Sequence, residues 1–534
     1  KSHRPMLLRI AAVLASALLL SAGWLGMTGL TLPAALVPLL WISASYDASR
    51  RSWWRVFGWA ALTFSLWNIL TIWWIWFATP VGPVAATLAS VTLNMIAFML
   101  YHTVSKKAPK PLAYTLLVAA WITTEYWYTT GEFSWPWLIL GNGFSHDVRL
   151  VQWYEYTGVF GGSLWVLVSN ICLFEALRAP RRTGRWIAAA AVVLLPTGAS
   201  LLRYATYAQP DAGSIRVSVV QPNVDCYDKF NGSAERQERN LIDLIADVPA
   251  GAQFIVLPET AVPGYYWEPA LGPSPLFAAT PGAFWTELTD TLRALHPGAM
   301  LITGANTDRA YGRSARTRTA RRMSDGTWYD HFNSAVGIDT TGRIRLHHKA
   351  RLVIGAEKTP LPWLFEWLDF LVIDLGGTLG QLGVGHDGTT FDHAAATVGP
   401  AICYEGLYGD FFGSFVRNGA EAMFIISNDG WWGDTPGYKH LFTLSRLRAV
   451  EHRRAIARSA NTGRSGFIDA RGDVGQTLGW ERRGVLTDTL ALNTEQTFYT
   501  RYGDWIGRTA QLVMLLCILY YIAYRVRKKN YLVP

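Results

Sequence analysis

The pattern of apolar positions divides the chain into three stretches. Seven long apolar runs, at 10–27, 28–46, 56–78, 84–104, 112–128, 158–177 and 186–202, carry almost no charge. Each approaches the ~17–25 residues that a helix needs to cross ~30 Å of hydrocarbon, so each is predicted to span a membrane. An eighth run follows at 505–524. Between about 205 and 503 the pattern changes to short strand-like runs alternating with amphipathic stretches and punctuated by Gly and Pro. A stretch of ~300 residues is long enough to bury a core of its own. The predicted organisation is a membrane domain at 1–204, a mixed α/β domain at 205–503, and an eighth span with a basic tail at 504–534.

Within the middle stretch, "IRVSVVQPN", "AQFIVLPET", "AMLITGANT", "NSAVGID" and "IRLHHKARL" read as strands, as do "AEAMFIISND", "SGFIDARGDV" and "GVLTDTLAL". Helical spacing is found in "SAERQERNLIDLIAD", "AFWTELTDTLRAL" and "GSFVRNGA", and one long Arg-rich helix is predicted over 439–461. Repeated strand–helix units point to an α/β layered sandwich rather than to a bundle or an all-β barrel.

Composition supports the division. With 16% charged residues, 25 Trp and 13% aromatics in 534 residues, the chain is too apolar for a wholly water-exposed protein. Clusters such as "IWWIWF" and "TTEYWYTT" fit an interfacial aromatic belt. Lys and Arg then orient the array. Lys1, Arg4 and Arg9 precede the first run, Arg50, Arg51 and Arg55 separate the second from the third, and Lys106, Lys107 and Lys110 the fourth from the fifth. Arg178, Arg181, Arg182 and Arg185 separate the sixth from the seventh, and Arg525, Arg527, Lys528 and Lys529 follow the eighth. The alternate short connectors carry only Arg149. By the positive-inside rule both termini are expected on the cytoplasmic side and the 205–503 domain on the outer face. The net charge of +9 is mostly this topology signal, so no nucleic-acid partner is expected. The first run has features of a cleaved signal peptide, but it passes directly into further spans and is expected to be retained. Glu125, toward the outer end of the fifth run, is either a functional intramembrane carboxylate or one that snorkels to the interface.

Candidate chemistry concentrates in the polar stretch. Glu259 in "FIVLPETAVPG", Lys349 in "LHHKARL" and Cys403 in "GPAICYEGLYGD" each sit where an apolar run rises into one reactive side chain. Singly, each has an ordinary reading: a loop carboxylate, a surface lysine, a buried structural cysteine. Converging, they form a nucleophilic acyl-transfer site with Glu259 as base, Lys349 facing the oxyanion and Cys403 as nucleophile. A thiol of pKa ~8.5 is mostly protonated near neutrality, and a carboxylate that accepts its proton is expected to raise the thiolate fraction. The four cysteines show no metal or disulfide spacing, and a Cys226–Cys403 disulfide would silence the nucleophile. His347 and His348 are adjacent on a predicted strand and so face opposite ways, which argues against a metal site between them.

These residues resemble the Glu-Lys-Cys triad of the nitrilase, or carbon–nitrogen hydrolase, superfamily. The eight runs, with "WPWLILGN", "LPETAVPG", "FNSAVGIDTTGR", "HKARLVIGAEKTPLP", "ICYEGLYGDFF" and "SNDGWWGD", narrow the resemblance to its apolipoprotein N-acyltransferase family. That resemblance covers nearly the whole chain. It implies eight transmembrane helices joined to an αββα sandwich, the triad Glu259, Lys349 and Cys403, and supporting roles for Glu357, Glu405 and Tyr404. It also makes Asn333, Trp431 and Asp434 candidate pocket-shaping residues. The implied activity passes a fatty acyl chain from a phospholipid, through a Cys403 thioester, to the N-terminal amine of a diacylglyceryl-modified apolipoprotein. No cofactor or metal is implied, and the expected setting is a monomer in a bacterial inner membrane. Two departures bear on lid shape and acyl preference: Ile354-Gly355-Ala356 where the family often has Pro-Phe-Gly before the second glutamate, and Phe230 after Lys229 where a tryptophan often follows the lysine. The competing readings are a membrane-tethered amidase or nitrilase, which passes its acyl group to water, and a scaffold without catalysis.

Overall fold

The computed structural model describes residues 4–226, 229, 232–268, 272–273, 284–358 and 381–530. Lys1, Phe230 and the end of the "HKARLVIGAEKTPLP" stretch lie outside the described residues. The chain divides into two compact units, Lys1–Thr206 with Tyr502–Pro534, and Tyr207–Arg501.

Six helices among the described residues are long and apolar enough to cross a membrane: Arg4–Ser21, Arg50–Phe77, Gly82–Ser105, Tyr154–Arg178, Thr183–Thr206 and Trp505–Lys528. The two other predicted spans take a different form. The apolar segment Gly29–Ala44 is shorter and broken into Leu32–Ala35 and Val37–Ala44. Pro33 and Pro38 lack an N–H, and Asn170 repairs the break by accepting from the Leu36 N–H at 2.7 Å and donating to the Leu32 carbonyl at 2.7 Å. Lys110–Thr130 is a helix of 21 residues whose C-terminal half carries Thr123, Thr124 and Glu125, and it is not among the six. The first helix also ends at Ser21 instead of running to residue 27. Beyond it Gly23 passes so close to Gly143 that a Cβ would stand 2.3 Å from the Gly143 carbonyl oxygen, an approach that only glycine permits.

Between Thr130 and Tyr154 the regular structure of this unit is limited to short 3₁₀ turns, Pro136–Leu138, Leu140–Phe144 and Val148–Leu150. Buried irregular backbone must find polar partners. The Tyr154 hydroxyl donates to Gly141 O at 2.8 Å, and Ser163 Oγ accepts from the Gly141 N–H at 3.1 Å. Glu125 supplies a third link. Its Oε1 accepts from the Leu140 N–H at 2.8 Å and from Trp121 Nε1 at 3.0 Å, so the side chain is buried and does not snorkel.

Among the described residues the second unit contains two sheets. The first has nine strands: β1 (Ser214–Gln221), β2 (Phe254–Val256), β3 (Tyr265–Trp267), β4 (Gly272–Pro273), β5 (Met300–Gly312), β6 (Arg321–Arg322), β7 (Trp328–Asp339), β8 (Ile344–His348) and, returning from the end of the unit, β15 (Gly484–Ala491). The second has six: β9 (Phe391–Asp392), β10 (Thr397–Ile402), β11 (Ala422–Ser427), β12 (Ile456–Ala460), β13 (Ser465–Ile468) and β14 (Val474–Leu478). Strands β1, β2 and β5 run parallel, as do β10, β11 and β12. The residues of β2, β11 and β12 are all buried, as expected for strands covered on both faces. One cover is the other sheet, where Phe254 of β2 meets Phe424 of β11 edge to face at 5.3 Å.

Helices form the outer layers. Ser233 caps Ala234–Ala246 by accepting from the Arg236 N–H at 3.3 Å, and Leu241, Leu244 and Ile245 of that helix join Leu288 and Leu292 of Phe284–Leu295 in the core against the first sheet. Gly409–Arg417 and Pro436–His452 pack on the second sheet. The four layers run helix, sheet, sheet, helix.

The predicted helix over 439–461 is corrected. It ends at His452, and 456–460 is instead β12, paired with β11. Arg453 turns the chain with a left-handed φ of 49°, held by its side-chain bond to Ala470 O at 3.1 Å and by Asn493 Nδ2 on its carbonyl at 2.9 Å. Tertiary pairing thus overrides a helix-forming sequence at a position where glycine is usual. Phe424 is fully buried, and replacing it with alanine is expected to cost about 3–5 kcal/mol. Thermal unfolding of the purified full-length protein, read as a lowered midpoint, checks this.

Candidate active site

The two sets of parallel strands end in the site. Glu259 lies just beyond β2, in a loop held to β5 by Leu257 N–H to Ile302 O at 2.8 Å and Gly304 N–H to Pro258 O at 3.0 Å. The approach at Gly304 is close, since a Cβ there would stand 2.6 Å from the Glu259 Cα. Cys403 follows β10 directly, and the pairing of Ile402 with Ile426 puts it level with Ser427 at the end of β11. Lys349 follows β8, and its N–H bonds to the Asn333 carbonyl of β7 at 2.9 Å.

One buried ion cluster joins these loops. Lys349 Nζ donates to Glu259 Oε1 at 2.7 Å and to Glu357 Oε1 at 2.9 Å. Asn333 Nδ2 repeats the bridge, reaching the same two oxygens at 2.7 and 3.1 Å. The second oxygen of Glu259 accepts from the Asn428 N–H at 3.1 Å, and that of Glu357 from the Val353 N–H at 2.8 Å. Lys349 is 1% exposed and Glu259 6%. Burial pushes the Glu259 carboxyl up, but the Lys349 ammonium, the Asn333 amide and Lys229 more than offset it and hold the group below its ordinary range. Burial equally works against the Lys349 ammonium, and Glu259, Glu357 and Cys403 outweigh it and raise the amine well above its usual value.

Cys403 is buried in this field, and its thiol is pushed up, first by burial and then by Glu259, against the downward pull of Lys349 and a hydrogen bond with Ser427. The expectation of a raised resting thiolate fraction is therefore corrected: the stable resting form pairs a neutral thiol with an ionised carboxylate. None of Cys172, Cys226, Cys403 and Cys517 is joined in a disulfide. The backbone is strained at two of these points, with φ of 48° at Cys403 and 47° at Thr260, directly after Glu259. A left-handed β-branched residue such as Thr260 persists only where its surroundings over-determine it.

Glu405 has a different position. Fully buried, it accepts from the Ala350 N–H at 2.7 Å with one oxygen and from the Ile402 N–H at 2.7 Å with the other, and His347 Nε2 lies 3.1 Å from it. It straps the residue after Lys349 to the residue before Cys403. Tyr404 is buried with its ring 5.5 Å from that of Tyr408. Trp431 is half-buried in the turn Gly430–Trp432. Asp434 is exposed and engages Tyr438 at 2.9 Å and Lys439 at 3.3 Å, outside the ion cluster. His347 and His348 face opposite sides of β8, the second bonding Ser334 at 2.8 Å.

The structure adds groups that the sequence leaves unmarked. The Asn428 N–H has no signal beyond its place in "SNDGWWGD". Next to it Asp429 is held by Arg458 through two bonds of 2.9 Å in the interior. Lys229, buried near Glu259, stands out in the sequence only as the residue before Phe230.

Comparison with known proteins gives the family. Residues 216–499 match the model of the carbon–nitrogen hydrolases, and residues 14–172 that of the apolipoprotein N-acyltransferase N-terminal domain. An apolipoprotein N-acyltransferase of Chlorobaculum tepidum is 28% identical over 91% of this chain and 92% of its own. One from Allorhizobium ampelinum is 30% identical, covering 71% of this chain and 67% of its own. Among solved structures, an amidase of the nitrilase superfamily from Nesterenkonia is 14% identical with a TM-score of 0.38, covering 57% of this chain and 99% of its own. The chain belongs to the carbon–nitrogen hydrolase family and, within it, to the apolipoprotein N-acyltransferases.

Removing the Glu405 strap leaves two backbone N–H groups without an acceptor. Glu405→Ala is expected to destabilise by about 1–3 kcal/mol for each group and to abolish activity, while Asp434→Ala changes stability by no more than about 0.5 kcal/mol. Thermal unfolding of the two variants side by side, with an activity assay of each, checks both.

Proposed function

We propose that the chain transfers a fatty acyl group from a membrane phospholipid to the N-terminal amine of a diacylglyceryl-cysteine on an apolipoprotein, through a thioester on Cys403. The observation that carries this reading is the buried Glu259–Lys349 pair acting on Cys403, in a chain whose described residues include six helices long and apolar enough to cross a membrane.

In the first half-reaction the Cys403 sulfur attacks the sn-1 ester carbonyl as its proton passes to Glu259. Lys349 balances the charge that develops on the carbonyl oxygen. Glu259 returns the proton to the departing alkoxide, and a lysophospholipid leaves. In the second half-reaction the acceptor amine attacks the thioester, Glu259 takes the amine's proton, and the sulfur leaves and is reprotonated. The product is an amide. Glu357 shares the ammonium and keeps it between two carboxylates, while Asn333 holds both carboxylates in place. Glu405 fixes the spacing of the Lys349 and Cys403 loops, and Tyr404 and Trp431 shape the surroundings of the sulfur. Both substrates carry lipid chains, which fits a thioester made at a bilayer and shielded from water.

The reading extends to topology. Eight spans, counting the broken 29–44 segment and 110–130, put both ends of the chain in the cytoplasm of a bacterial cell and the 207–501 unit on the outer face of the inner membrane, in keeping with the Lys and Arg distribution.

Incubation with phospholipid alone is expected to add one fatty-acyl mass to the intact protein, removable by hydroxylamine and missing in Cys403→Ala and Glu259→Gln. A wild-type enzyme that releases free fatty acid and leaves an amine acceptor unmodified would instead establish a hydrolase. The pH dependence has a definite sign. Glu259 is held below its ordinary range, so its carboxylate persists as pH falls through the usual value of about 4.3, and the amine of Lys349 stays charged as pH rises through about 10.4. Thioester formation measured from about pH 5 to about pH 9 is therefore expected to show no loss from breaking this pair.

A further inference from the structure

Lys229 takes no part in the reaction described above, yet it lies against its base. The side chain is 6% exposed, and Nζ donates to the main-chain carbonyl of Glu259 at 2.8 Å. Its own backbone is fixed from two sides, by its N–H on the Asp225 carbonyl at 2.9 Å and by Gln237 Nε2 on its carbonyl at 3.0 Å. A flexible amine held this way delivers a charge to a fixed point. That point is the peptide between Glu259 and Thr260, the one whose second residue has the strained φ of 47°.

We propose that Lys229 is a positioning residue for acyl transfer: its amine fixes the Glu259–Thr260 peptide and, when charged, keeps the Glu259 side chain ionised until the thiol proton arrives. The proposal rests on the reading of Glu259 as the base.

Two observations converge on it. The left-handed Thr260 needs external restraint, and the structure offers two: the close passage of Gly304, which would place a Cβ 2.2 Å from the Thr260 nitrogen, and the Lys229 bond on the preceding carbonyl. The charges point the same way. Lys349, Asn333 and Lys229 all favour the ionised Glu259, and Glu357 reaches it only through the ammonium and amide they share. Burial brings the Lys229 amine down to about 7, against the pull of Glu259 and Cys226, the titratable groups that face it among the described residues. Lys229 is thus fully charged at acidic pH, where Glu259 is most at risk of protonation, and neutral at alkaline pH, where Glu259 needs no help. A residue that titrates near neutrality lets the base strengthen as the pH rises without letting it protonate as the pH falls.

The test uses full-length enzyme and follows two rates against pH, single-turnover formation of the Cys403 thioester and alkylation of Cys403 by iodoacetamide read by peptide mapping. Both need Glu259 ionised. Removing the charge with Lys229→Met is expected to move the acidic limb of both profiles upward by about one pH unit, the smaller end of the effect of a nearby opposite charge. Lys229→Arg, which keeps the charge, is expected to leave the limb at the wild-type position whatever its absolute rate. Should Lys229→Met fail to accumulate, Lys229→Gln retains an N–H donor without the charge and is expected to show the same upward shift. A Met or Gln limb that superimposes on wild type, or an Arg limb that moves with theirs, overturns the proposal. Glu259→Gln separates the two levels. If it alkylates with the wild-type pH profile, Glu259 is not the base and both readings fall; if it loses the limb while Lys229→Met keeps it at the wild-type position, only the role of Lys229 falls.

Discussion

A single ammonium group shared between two carboxylates governs the site. Lys349 is out of reach of water, and its charge is tolerable there only because Glu259 and Glu357 approach within 2.9 Å and Asn333 holds them together. Burying ions is costly, and removing one partner of such a group strands the rest, with a loss of about 3–5 kcal/mol. The cluster is therefore a poor source of stability and a strong source of definition. It fixes the arrangement of its loops, and that arrangement sets a carboxylate held below its ordinary range in the field of a thiol that burial pushes up.

The sandwich provides for this. Parallel strands end on one side of their sheet, so β2 of the first sheet and β10 and β11 of the second bring Glu259, Cys403 and Asn428 to a common region, while the β7–β8 hairpin returns Lys349 and Asn333 to the same place. Edge-to-face contact between Phe254 and Phe424 joins the sheets beneath them. The covering helices close the outer faces, so the central strands β2, β11 and β12 are buried along their length, and Glu259, Lys349 and Cys403 each follow directly after a strand or its extension.

Much of this was legible in the chain. Runs such as "FIVLPE" and "GPAIC" announce a buried strand and its terminal group, because apolar side chains on both faces and a sudden polar residue admit few other readings. The amphipathic helix at 234–246 was equally plain from Leu241, Leu244 and Ile245. Long-range pairing was not. Nothing in "RAVEHRRAIARSAN" marks the change from helix to strand at Arg453, since the strand exists only because β11 lies beside it. Membrane boundaries were blurred for a related reason: Asn170 repairs a broken helix far away in sequence, and Glu125 caps a turn that hydropathy alone reads as connector. The residue types Glu259, Lys349 and Cys403 were visible, but the state of the thiol was not, because burial and neighbouring charge are properties of the assembled site.

Glu405 ties the main chain on the amine side of the centre to the main chain on the sulfur side. Those two loops, far apart in sequence, consequently behave as one mechanical part. Grafting either of them alone from a relative with a different lipid preference would import a segment whose spacing was set against another counterpart. An exchange that keeps the enzyme working has to carry both loops and the carboxylate between them as one cassette.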